Sequence, residues 1–174
     1  MRVTAIILAA GGSSRLGAPK QLLPFRGKTL LQHAIDTARA ACDRVRVVVH
    51  PALRDSASGV DVVINDEWEE GLASSIRRGL EGIESDVLLM LCDQPLVTPE
   101  HLRALVAAGA PIAASGYRGI AGVPSFFAAH FLDELRALRG DQGARRVIEK
   151  HGAVTIPFEA AAFDVDTPTD AQKL

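Results

Sequence analysis

The sequence has few cysteines, no excess of basic charge and no long apolar run. Its two cysteines, Cys42 and Cys92, cannot build a disulfide framework or a four-cysteine zinc centre, and they suit a reducing compartment. With 19 Lys plus Arg against 21 Asp plus Glu, the formal net charge is −2. The broad basic footprint of a general nucleic-acid binder is missing. No run approaches the ~20 apolar residues a membrane helix needs, so no membrane partner is expected. Val3 to Ala10 after Met1-Arg2 looks superficially like a short secretion signal. The glycine-serine turn that follows, carrying Arg15 and Lys20, makes better sense as a site, and the protein reads as cytoplasmic. Five histidines (33, 50, 101, 130 and 151) show no ligand spacing. No Ser-His-Asp order suggests nucleophilic catalysis.

What is present is an ordinary globular composition: 174 residues, 48% hydrophobic and 23% charged. That size and apolar content fit one domain over residues 1–174. Val3 to Leu8 is a β-branched run ended by Gly11-Gly12, the pattern of a strand buried on both faces. Further strands are expected at 45–49, 60–64, 87–91, 111–115, 123–127, 154–157 and 163–165. Helical spacing marks Leu30 to Ala38, Leu72 to Ile83, a segment opened by Thr98-Pro99 and stopped at Gly109, Phe131 to Leu138, and Ala144 to His151. Strands alternating with helices predict an α/β protein, a Rossmann-like three-layer α/β/α arrangement around a mostly parallel sheet. In such sheets ligands gather beyond the carboxyl ends of the strands. Attention therefore falls on residues 11–20, 65–75, 93–95 and 166–167.

Leu8-Ala9-Ala10-Gly11-Gly12-Ser13-Ser14-Arg15-Leu16-Gly17-Ala18-Pro19-Lys20 is the most informative segment. Glycines let a backbone turn and present its N–H groups to an anion. Arg15 offers a planar fork and Lys20 a mobile point charge for phosphate oxygens. A P-loop needs Gly-Lys followed by Ser or Thr, and this lysine sits between Pro19 and Gln21. A dinucleotide fingerprint needs glycine where Ser13 and Leu16 stand. The bland reading, a β-to-α turn with surface charges, stays open on glycine content alone.

The segment resembles the signature of MobA-like nucleotidyltransferases, L-A-A-G-G-x-S-x-R-M/L-G-x-x-K-x-L-L, and most of all its molybdenum-cofactor cytidylyltransferase branch. Asn65, Trp68 and Gly71-Leu72-Ala73-Ser74-Ser75, then Cys92-Asp93-Gln94-Pro95, Gly140-Asp141-Gln142-Gly143-Ala144-Arg145 and Asp164-Val165-Asp166-Thr167-Pro168 match further family segments in order. The resemblance implies the nucleotidyltransferase version of the fold and transfer of CMP from CTP to a molybdopterin-type acceptor, with a molybdenum hydroxylase apoenzyme as downstream partner. It implies nucleotide contacts from Leu8, Ala9, Ala10, Gly11, Gly12, Arg15 and Lys20, and a base contact from Ser75. Ser75 equally suits a helix cap.

Asp93 and Asp166, 73 residues apart, each follow an apolar stretch. If those stretches are neighbouring parallel strands, the two carboxylates meet at one rim. Mg2+ is commonly held by one or two carboxylates plus phosphates and water. Arg15, Lys20 and Asp93 are thus the expected catalytic groups, and Asp93 and Asp166 the metal ligands. Asp164 points the other way by strand alternation. Asp170 reads as part of a capping box with Thr167. Trp68 reads as packed, and Arg77-Arg78 and Arg145-Arg146 as solvated helix faces. Asp141 and Arg145 are placed near the acceptor, with Asp141 alternatively capping the following helix. Val123 departs from the family's G-H-P. Rival readings are GTP as donor, a sugar or polyol phosphate as acceptor, a non-catalytic cofactor chaperone and a dinucleotide-dependent oxidoreductase.

Overall fold

The computed structural model describes residues 2–174. In chain order its elements are β1 (Val3–Ala9), the short pair β2 (Pro24–Phe25) and β3 (Lys28–Thr29), α1 (Leu30–Arg39), β4 (Arg44–Val49), β5 (Asp61–Ile64), α2 (Leu72–Gly79), β6 (Asp86–Leu91), α3 (Pro99–Val106), β7 (Ile112–Tyr117), β8 (Ile120–Phe127), α4 (Leu132–Arg136), α5 (Arg145–His151), β9 (Val154–Pro157) and α6 (Pro168–Ala171). Seven strands form one sheet in the order β5-β4-β1-β6-β8-β7-β9. β1 pairs in parallel with β4 and β6, β4 with β5, and β7 with β9. Only β8 runs against its neighbours.

Every residue of β1 is buried, because side chains alternate between two covered faces. Ile7, Val47, Val49, Leu88 and Met90 pack with Leu31 and Ile35 of α1 and Leu102 and Leu105 of α3. Ile6, Leu8, Val48 and Leu89 pack with Ile76 of α2, Leu132 and Leu135 of α4, and Val147 and Ile148 of α5. The three-layer, mostly parallel expectation holds. So does the helix start at Thr98, whose hydroxyl accepts from the His101 N–H; Thr29 caps α1 in the same way, accepting from the Gln32 N–H.

Two features differ from expectation. Residues 24–29 and 112–127 form hairpins, both turning on Arg-Gly pairs, Arg26-Gly27 and Arg118-Gly119, with positive φ at all four residues. That conformation favours Asn, Asp or Gly at the first position, so Arg-Gly gave no turn signal. The expected strand at 163–165 is irregular chain. It is fixed in another way. Val165 is fully buried against Phe25 and Leu30, and its N–H donates to the Asp93 carbonyl at 3.0 Å. Burying such a side chain is worth about 2 kcal/mol, and here it ties the C-terminal segment to the end of β6. The capping box of α6 is present, with Thr167 and Asp170 bonding reciprocally.

Candidate active site

The turns after β1 and β6, the start of α2 and the loop at 140–143 enclose a cavity of about 410 Å³, within the range of small-molecule sites. Leu8, Ala9, Ala10, Gly11, Gly12, Lys20, Ser75 and Asp93 all line it. Gln21, Trp68, Glu69, Leu72 and Asp141 are also in the wall. Asp166 approaches through Lys20. Arg15 lies exposed on the outer loop and is not part of the wall.

The charged centre is compact. Lys20 Nζ lies 2.5 Å from Asp93 Oδ2 and 2.9 Å from Asp166 Oδ1. Burial pushes the Lys20 pKa down, but the charges and hydrogen bonds of Asp93 and Asp166 outweigh it and hold the ammonium above its ordinary value. Asp93 is buried, and its Oδ1 has no hydrogen-bond partner in the protein. A cation thus already stands between the two carboxylates, with a buried acceptor oxygen still unused. Among the described residues no group of three or more His, Cys, Asp or Glu side chains has metal-site spacing. An all-protein cage is therefore absent there. Two carboxylates beside a phosphate-sized space fit a hard divalent ion that draws its other ligands from phosphate and water.

Ser75 does not cap α2. Gly71 occupies the cap position without a side-chain bond. Ser75 is buried, and Asn65 Nδ2 donates to Ser74 and Ser75 hydroxyls at 2.9 and 3.1 Å. Gly71 has φ 121°, and a Cβ there would lie 2.3 Å from Asp141 Oδ1 and 2.6 Å from the Gly140 carbonyl. Only glycine allows the 140–143 loop to press this closely. The Ala73 N–H donates to the Gly140 carbonyl, and Glu70 accepts from the Gly140 N–H and from Arg77. Arg77 also donates to the Leu138 carbonyl, so it straps two segments together instead of facing solvent. Asp141 is exposed in the cavity wall and does not cap α5. Arg145 pairs with Glu149 and does not line the cavity. Trp68 packs on Gly12 and on the His50 ring, 4.6 Å away, while still facing the cavity.

On the far side of Asp93, Gln94 Nε2 donates to the carbonyls of Val123 and Ala161. The Tyr117 hydroxyl also donates to Val123. Asp164 is half-buried with one oxygen unpartnered. Burial, then the charges of Asp93 and Asp166, push its pKa up to about 6. With the strand at 163–165 absent, the alternation that would have turned it away no longer applies. Sequence patterns mark neither Tyr117 here nor Gln21 in the cavity wall.

A cation held by two carboxylates beside a glycine-rich turn, beyond the carboxyl ends of parallel strands, defines an α/β protein of the nucleotide-transferring class. A family model for the MobA-like NTP transferase domain matches residues 5–154. The chain belongs to that family and is a nucleotidyltransferase of the MobA-like kind with the Rossmann-like fold of its relatives. Rv0371c from Mycobacterium tuberculosis H37Rv has a similar structure, with TM-score 0.87 and 33% identity over 99% of this chain and 97% of that one. The same protein has also been solved in complex with manganese, at TM-score 0.82. A probable molybdenum cofactor guanylyltransferase of Geobacillus sp. strain WCH70 is 30% identical over 105 residues, covering 57% of this chain and 54% of its own. The nicotine blue oxidoreductase of Paenarthrobacter nicotinovorans is 28% identical over 195 residues, covering 99% and 96%. No helix among the described residues is long and apolar enough to cross a membrane.

Proposed function

We propose that this chain transfers CMP from CTP to a terminal phosphate of a molybdopterin-type acceptor and releases pyrophosphate. The observation that carries this reading is Lys20 held between Asp93 and Asp166 at the edge of the cavity walled by Ala9 to Gly12. The loop amides and Lys20 bind the β- and γ-phosphates, with Arg15 closing from the outer loop. Lys20 neutralises charge on the departing pyrophosphate. Asp93 and Asp166 are the residues that would hold Mg2+, which would supply Lewis-acid stabilisation of phosphate charge there. The acceptor phosphate attacks in line, and its position does the rest. No covalent enzyme intermediate is required.

The polarity of the cavity supports a base that carries an amino group. Lys20, paired with Asp93 and Asp166, belongs to the turn after β1, while Asp141 and Glu69 are free carboxylates of the wall around α2. A triphosphate avoids those carboxylates, so the base and ribose face them, and carboxylates accept from exocyclic amines. Ser75, held by Asn65, adds a hydroxyl there. GTP as donor is the second reading, favoured by the guanylyltransferase relative. The product would serve a molybdenum hydroxylase apoenzyme.

Calorimetry with CTP, GTP, ATP, NADH and NADPH in Mg2+, repeated on Asp93→Ala, tests the reading. Tight Mg2+-dependent binding of CTP, lost in the variant, is expected. Preference for GTP would move the donor assignment. Binding of NADH or NADPH without any triphosphate would replace transfer by redox chemistry.

A further inference from the structure

The side chain of Gln21 is one of the most buried polar groups in the protein, 1% exposed. Its Nε2 donates to the carbonyls of Ala9 at 2.8 Å and Gly11 at 3.1 Å. One amide nitrogen has two hydrogens, and both go to alternate carbonyls of the same loop. In a planar trans peptide the N–H points opposite to the C=O. Drawing these two carbonyls to Gln21 turns the N–H groups of the same peptide units, on Ala10 and Gly12, away from it. Both residues line the cavity. The same grip removes two carbonyl oxygens that would otherwise repel phosphate. Ser13 completes the closure: its hydroxyl accepts from the Lys20 N–H at 3.1 Å.

We infer that Gln21 is the positioning residue of the phosphate loop, fixing the Ala10 and Gly12 amides as donors to a polyphosphate before it arrives. This deepens the proposed function and rests on it for the identity of the ligand. Preorganised donors need no reorganisation on binding. The role therefore predicts an effect on phosphate affinity that exceeds any effect on the fold.

The test measures Kd for MgCTP and for magnesium tripolyphosphate, which has no base to read, on the whole chain. Gln21→Met keeps the length and removes both donors. It should weaken both probes at least tenfold and by a similar factor. Val47→Ala, a buried site in β4, should lower the melting temperature and leave both affinities as in wild type. Wild-type affinity in Gln21→Met overturns the role, as does a loss confined to CTP. A second measurement needs no variant. The Ala10 and Gly12 amide resonances of the wild-type protein should shift downfield on adding tripolyphosphate, and unmoved resonances overturn the role. Tripolyphosphate binding without CTP binding would overturn the nucleotide reading and leave this role standing. Binding of neither would overturn both.

Discussion

The two sides of the sheet solve different problems. From β5 to β6 all strands are parallel, and their connections deliver the glycine loop, Lys20, the Asn65–Ser75 pair and Asp93 to one edge. From β8 to β9 a reversed strand intervenes, and the polar groups sit inside. Ser115, Ser125, His101 and Gln94 are all buried. His101 bonds Ser115 Oγ at 2.7 Å and stacks on Phe158, and Ser115 donates to the Pro124 carbonyl. The first side turns its polar groups, the buried Gln21, Ser75 and Asp93 among them, to the cavity wall. The second uses them on its own backbone, leaving Gln94, Tyr117 and Asp164 beside Asp93.

The largest effect should come where the two sides meet. Lys20→Ala leaves Asp93 and Asp166 facing each other without their ammonium. Loss of a charge that stabilises a transition state typically costs about 10²–10³ in rate. Pyrophosphate release should fall by that factor while circular dichroism stays native; retention of more than about a tenth of the rate would break the comparison at its centre. Next comes Gly71→Ala. Its Cβ meets the Gly140 carbonyl at 2.6 Å, which is backbone and cannot step aside. Strain of about 3 kcal/mol should appear in urea unfolding, with a raised KM for the triphosphate because Asp141 and Ser75 move. Unchanged stability would mean the 140–143 loop is not strapped to the first side.

Ser115→Ala sharpens the comparison from the other side. It strands the His101 nitrogen and the Pro124 carbonyl, and an unsatisfied buried pair costs about 2 kcal/mol. The stability loss should come with wild-type affinity for the triphosphate. A parallel loss of affinity would show that the two sides are not separable.

How much of this could be read from residues follows the same line. On the first side, local patterns carry the information: an apolar run, a glycine turn, Thr29 as a cap, the stop of β6 at Cys92-Asp93. Asp93 and Lys20 each lie next to such a pattern, and the structure brings them together. Asp166 comes to the same rim as Asp93 by a route the strand pattern does not show. It reaches Lys20 through the buried Val165 and its hydrogen bond to Asp93, not through a strand. Arg15 matches the motif as well, but its exposed place on the outer loop, outside the cavity wall, is something the motif does not show. Gln21 lies between Lys20 and two leucines and carries no local mark. Its partners, the Ala9 and Gly11 carbonyls, are backbone atoms whose direction no sequence shows. On the second side the determinants are long-range. Ser115 meets the Pro124 carbonyl, and Gln94 meets Ala161 67 residues away. Arg118-Gly119 turns the chain without the usual turn residues.

The smallest effect concerns pH and tests whether Asp164 belongs to the charged centre or merely lies behind it. Its pKa is about 6 in the fold against 3.8 ordinarily. Between those values the folded state binds the extra proton, so stability falls as pH rises from about 4 to about 6. Above that window the carboxylate is ionised in both states, and the fold bears the cost of a half-buried charge near Asp93 and Asp166. Asp164→Asn removes that cost. After discounting for solvent screening of a partly exposed group, the variant should be about 1 kcal/mol more stable at pH 8 and no different at pH 3.5. His101 works in the opposite sense. Burial pushes its pKa down to about 4, so the fold loses stability as pH falls from about 6.5 toward 4 in wild type and variant alike. Urea titrations of both proteins across pH 3.5–8 separate the two contributions. Equal stability at pH 8 would mean that neither burial nor the charges of Asp93 and Asp166 raise the Asp164 pKa.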